Sequence, residues 1–173
     1  MDVMLDLETL STRPDAVIVS IGACKFDSQT GTISPNTFHC HLEMNDQIEL
    51  GRHIDADTIR WWMKQSDEAR RELNGNLSLT EAISDLTQWI GPDSFSIWSN
   101  GASFDIPIIE HACATLNIGV PWPYNSSRCY RTIRALTKNS NPVILENPLA
   151  HNALEDAIHQ VRQLSEFFKV MHV

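Results

Sequence analysis

The chain has 173 residues, 42% apolar and 20% charged, which suits one folded globular domain with a proper core. Its 13 Lys and Arg against 22 Asp and Glu leave a net charge of −9, which argues against tight electrostatic binding along a nucleic-acid backbone. No apolar run is long enough for a membrane span, an acid at position 2 speaks against a secretory leader, and four scattered cysteines (Cys24, Cys40, Cys113, Cys129) read as reduced thiols of a cytoplasmic protein.

Residues 2–8 alternate, with Val3, Leu5 and Leu7 on one side and Met4, Asp6 and Glu8 on the other, which predicts a strand. Val17 to Asp27 is a β-branched, buried strand closed by a turn at 28–31, and 32–44 reads as a third strand. The period then changes. Asp55 can cap a short helix with Ile59, Trp62 and Met63 on its apolar side, and Ser78 with Glu81 is a capping-box pair opening a helix to about residue 90. Phe95 to Ser99 predicts a fourth strand, followed by a helix with Ser103 as its cap, then a loop at 117–127. A short strand and helix share 127–138, a polar loop fills 139–150, and Leu154, Ile158, Val161, Leu164 and Phe168 mark the last helix. The expectation is a single domain over residues 1–173, α/β in class, with a mixed sheet.

Three acidic motifs carry the chemistry. Asp6 and Glu8 lie two apart on a strand and therefore share a face. Taken alone, that pattern is usually a solvated acidic edge. Asp105 falls where a strand gives way to a helix, the crevice in which open α/β sheets bind ligands. Asp156 lies in the first turns of the last helix, which Asn152 caps. That cap leaves His151 on the preceding loop. On one continuous helix, five residues would set the two side chains about 140° apart, whereas from the loop both can reach one site. Acids converging from three elements fit a pair of hard cations, Mg²⁺ or Mn²⁺, that stabilise the attacking and leaving oxygens of a phosphodiester.

Asp6-x-Glu8, Asn100-x-x-x-Phe104-Asp105 and His151-x-Ala153-x-x-Asp156 resemble the three motifs of the DEDDh (RNase T-like) 3′→5′ exonucleases, over nearly the whole chain. Thr-Ile-Arg-Trp-Trp at 58–62 looks like a phage and bacterial branch that includes a mycobacterial exoribonuclease. The resemblance implies a ribonuclease H-like fold, a mixed five-stranded sheet flanked by helices. It also implies two divalent cations on Asp6, Glu8, Asp105 and Asp156, His151 as general base, and a single-stranded 3′ end as substrate. Many members read D-x-E-T-T-G, where this chain has Thr9-Leu10-Ser11 after Glu8. Substrate contacts are expected from Thr9, Leu10, Asn100, Phe104, Trp61, Arg128 and Arg131. Members are often homodimers, and Trp61 could equally meet a partner subunit.

Basic residues cluster at Arg60, Lys64, Arg70, Arg71 and at Arg128, Arg131, Arg134, Lys138; such runs are usually solvated helix faces. His39-Cys40-His41 would suit zinc, but no second ligand pair has a zinc-like spacing, so a structural zinc is not expected. The rival readings are a ribonuclease H-like endonuclease, a non-catalytic nucleic-acid-binding domain, and a proofreading subunit docked on a polymerase.

Overall fold

A computed structural model describes residues 1–93 and 95–171, which build a five-stranded sheet in the order β3-β2-β1-β4-β5. The strands are β1 (Asp2–Thr9), β2 (Ile18–Phe26), β3 (Ile33–His41), β4 (Ile97–Ser99) and β5 (Ser127–Cys129). The first three form an antiparallel meander, and β4 and β5 add parallel to β1, giving the mixed sheet expected. The β2–β3 turn is held by Asp27, whose Oδ1 accepts from the backbone of Gln29 and Thr30.

The helices are α1 (Asn45–Glu49), α2 (Ala56–Trp62), α3 (Asp67–Arg70), α4 (Leu79–Ile90), α5 (Asp105–Thr115), α6 (Tyr130–Thr137) and α7 (Ala153–Met171), with 3-10 turns at Arg71–Leu73 and Lys138–Ser140. Alternation along β1 divides the core. Val3, Leu5 and Leu7 pack on one face of the sheet with Ile83 and Leu86 of α4 and Ile108 and Ile109 of α5. On the other face Met4 packs with Ala157, Val161, Leu164 and Phe167 of α7. Asp6 and Glu8 therefore face α7, the only long helix on their side among the described residues.

One glycine sets how closely α7 approaches. Gly22 is the cross-strand partner of Asp6 on β2. A Cβ there would lie 2.1 Å from the backbone carbon of Ala153. Only glycine lets the start of α7 rest directly on the sheet beside Asp6.

Local signals in the sequence hold at several helix starts. Asp55 caps α2 through Asp57 and Thr58, Ser78 and Glu81 form both bonds of a capping box, and Asn152 Oδ1 accepts from Glu155 at 3.0 Å. Several details differ from expectation, among them Met63, which is 71% exposed and does not join Trp62 on the apolar side of α2. Ser103 does not cap α5, whose N-cap is Phe104 with no side-chain bond, and β3 ends at His41 and not at 44. The stretch between β3 and α4 also holds α1 and α3 besides α2. Each is under two turns, too short for an apolar period, and α1 is held by the buried Gln47 bridging Ile18 and Glu43.

Candidate active site

Asp6 and Glu8 lie on the central strand, 9% and 8% exposed, beside the first turns of α7. Gln160 Nε2 donates to Asp6 Oδ1 at 2.7 Å. Asp105 is the first residue of α5 and is 2% exposed. Its place follows from the shortness of β4. Val3 N–H bonds Ser96 on the β4 side, so Leu7 N–H points the same way but lies beyond the end of β4 at Ser99. Asp105 Oδ1 supplies the missing acceptor at 3.1 Å. Asp156 Oδ2 accepts from His151 N–H at 2.8 Å, and Asn147 donates to its Oδ1. His151 stands just before the helix with φ of +68°, a left-handed conformation that few non-glycine residues adopt, and such strain collects at functional sites.

These groups line one open pocket of about 400 Å³, with Asn100, Phe104, Tyr130, Arg131, Arg134 and His159 around it. Glu8, His151 and Asp156 each bring a ligand atom to within 4.8 Å of the others. The electrostatics call for a cation. Burial, then the charges of Asp105, Glu8 and Asp156, push the Asp6 carboxyl well above the ordinary range. Burial and the neighbouring Asp156, Glu72 and Asp105 raise Glu8 to about 8. Burial lifts Asp105 to about 7 against the opposing Leu7 N–H and Arg131, and burial raises Asp156 too. Acids this close cannot all ionise without positive charge among them. The oxygen donors of the four carboxylates fit hard divalent cations.

The remaining expected residues divide. Thr9, Trp61 and Phe104 line a groove of about 550 Å³ that adjoins Glu8. Trp62 is core, its indole N–H donating to Thr9 O at 2.9 Å. Trp61 is 39% exposed and meets the His151 ring edge-on at a centroid distance of 4.7 Å. Leu10 is a correction. It is 3% exposed and packs with Val17, Val19 and Trp62, so it has no surface to offer a base. Arg131 reaches the pocket and donates to Asn100 O, but Arg128 turns back onto Asn125 O and Ser127 O and does not line it.

The two basic clusters also part company. Arg60, Arg70 and Arg71 pair with Asp57, Asp67 and Glu68, whereas Arg128, Arg131, Arg134 and Lys138 have no carboxylate partner among the described residues. Sequence reading missed Gln160, Arg134 and Asn147. Gln160 was within reach of it, since it follows Asp156 by four residues and so shares its helix face. Asn147 sits on an irregular loop that gives no such register.

The family model described as "3'-5' exoribonuclease Rv2179c-like domain" matches residues 1–168. The chain belongs to this family. A curated relative, the exodeoxyribonuclease of Enterobacteria phage T4, is 24% identical over 123 residues, 62% of this chain and 53% of the relative. The chain thus spans about half the length of that protein. Among solved structures, E. coli Exonuclease I in complex with a dT13 oligonucleotide superposes with a TM-score of 0.73 at 14% identity, over 98% of this chain and 41% of the other. The nuclease domain of 3'hExo, a DEDDh family member bound to rAMP, gives 0.63 at 11% identity, over 96% and 90%. These likenesses establish the fold, that of the ribonuclease H-like DEDDh exonucleases. No described helix is long and apolar enough to cross a membrane.

Proposed function

We propose that residues 1–173 form a single catalytic domain, a divalent-cation-dependent 3′→5′ exonuclease that removes nucleotides from a single-stranded end or a short 3′ overhang. The convergence of Asp6, Glu8, Asp105 and Asp156 on one pocket beside His151 carries this reading. Family membership and relatives that act on nucleic-acid ends support it. Two ions, Mg²⁺ or Mn²⁺, are assigned to the four carboxylates; when bound, they supply the positive charge that steadies the attacking and leaving oxygens.

The chain's own residues do the rest. Gln160 and Leu7 N–H fix Asp6 and Asp105 in orientation. His151, braced by Trp61, takes the proton as water forms its bond to phosphorus and the P–O3′ bond breaks, and the departing 3′ oxygen picks up a proton from solvent. Phe104 and Trp61 flank the groove in which the terminal nucleotide would stack, and Thr9 offers a contact to its sugar. Trp61 is assigned to substrate and not to a subunit interface because it closes that groove. Arg131 and Arg134 take the phosphates that precede the scissile bond.

A digestion series on 5′-labelled RNA, DNA and partial duplexes tests the proposal. The expected result is a descending ladder in Mg²⁺ or Mn²⁺ that chelation abolishes and Asp6→Asn removes. Cleavage of a circular single strand, or full activity in excess chelator, would overturn it. The same series decides between RNA and DNA.

A further inference from the structure

His39 and His41 project from one face of β3 and aim their Nε2 atoms at the two oxygens of Glu72, at 3.1 and 3.2 Å. Residues two apart on a strand share a face, so the backbone itself fixes this convergence. Their rings lie 4.5 Å apart between centroids. Glu72 arrives from the 3-10 turn at Arg71–Leu73, more than thirty residues along the chain, and it supplies the ligand that sequence spacing alone does not reveal. Atoms ligating a tetrahedral zinc at 2.0–2.1 Å stand about 3.3–3.4 Å apart. The two histidine–carboxylate distances are already close to that spacing, and the three ligand atoms together lie within 4.8 Å of one another.

Glu72 is 2% exposed and needs cationic company. Burial pushes its carboxyl up, but hydrogen bonds from His39 and His41 outweigh it and hold it down at about 2. Asn152 Nδ2 donates to its Oε1 at 2.7 Å and the Ala153 N–H approaches its Oε2 at 3.4 Å. Such outer bonds are what orients a ligating carboxylate. A cavity of about 650 Å³, lined by Ser66, Asn74 and Leu149 among others, opens on the same three side chains and leaves room for a further ligand.

We propose that His39, His41 and Glu72 form a second metal site, selective for a borderline transition ion such as Zn²⁺ and sharing no ligand with the four carboxylates. Imidazole nitrogen favours zinc, whereas the four carboxylates favour Mg²⁺ or Mn²⁺. Through Asn152 the ion clamps β3 and the 71–73 turn to the start of α7, the residue next to His151. The site is structural and is independent of the nuclease reading.

The full chain, loaded with Zn²⁺ in millimolar Mg²⁺ and freed of loose metal by gel filtration, is assayed by mass spectrometry of its metal content. Wild type and the Asp6→Asn/Asp156→Asn variant should each retain about one zinc per chain, and His39→Gln/His41→Gln should retain none. Retention by the histidine variant, loss in the carboxylate variant, or no zinc in wild type overturns the site. Should the histidine variant fail to fold, His41→Cys decides. With Co²⁺, a thiolate ligand at that position adds a near-ultraviolet charge-transfer band, and its absence overturns the proposal.

Discussion

Gln160 and Asp6 meet through a 2.7 Å hydrogen bond between the sheet and α7, buried on both sides. The amide is a neutral donor among acids, and its bond favours the ionised form of a carboxylate that burial and three neighbours drive toward protonation. Replacing Gln160 with Leu keeps the bulk and removes the donor. Asp6 then binds its proton more firmly and its orientation loosens. The Mg²⁺ concentration for half-maximal activity should rise about 10–100-fold, the usual cost of losing such a supporting bond, with partial rescue at high Mg²⁺. An unchanged Mg²⁺ titration would remove Gln160 from the site.

The raised carboxylates also make the metal-free protein sensitive to pH, with a definite sign. A carboxyl whose folded value exceeds its unfolded one binds more protons in the native state, so stability falls as pH climbs between the two values. For Glu8 that window runs from 4.5 to about 8, and for Asp105 from 3.8 to about 7. In chelator, Tm should drop across this range, and the drop should be shallower in Glu8→Gln. Saturating Mg²⁺ should restore Tm most at the alkaline end, because a ligand of the native state stabilises it by linkage. Equal pH slopes for wild type and Glu8→Gln would contradict the burial of charge described above.

Much of this site is legible in the sequence because its parts are local. Alternation puts Asp6 and Glu8 on one face, and the Asn152 cap sets His151 apart from the helix that carries Asp156. What the sequence hides depends on distant approach. Leu10 follows the motif in the chain, yet a register shift between Glu8 and Thr9 and the packing of Val17 and Trp62 turn it inward. Arg128 and Arg131 look alike as letters; one folds back onto the neighbouring carbonyls of Asn125 and Ser127 and the other crosses to Asn100. Glu72, on a 3-10 turn with no periodic signal, lies beyond any spacing rule.

Arg134 is the cleaner probe of phosphate binding, since Arg131 also holds the Asn100 carbonyl. It lines the pocket and has no carboxylate partner among the described residues, so its charge is free to neutralise a phosphate. Arg134→Gln should raise KM with little change in kcat, and the slope of log KM against log salt should shrink by about one. Arg128→Gln should leave both unchanged. A matching effect at Arg128 would mean that the strand runs along β5 and not along α6.

His151 decides how the proton moves. Its N–H bonds Asp156 and its ring rests against Trp61, so the imidazole is positioned by its neighbours, although it also comes within 4.8 Å of Glu8 and Asp156 in ligand reach. A base and a ligand make different predictions. If His151 accepts the proton, His151→Ala should lose about 10²–10⁴-fold in kcat, while Mn²⁺ binding by calorimetry keeps its stoichiometry and affinity. Trp61→Leu, which removes the brace but leaves the imidazole, should fall between wild type and His151→Ala in rate. Loss of one Mn²⁺ equivalent in His151→Ala would instead make the histidine a ligand and leave the proton to bulk water.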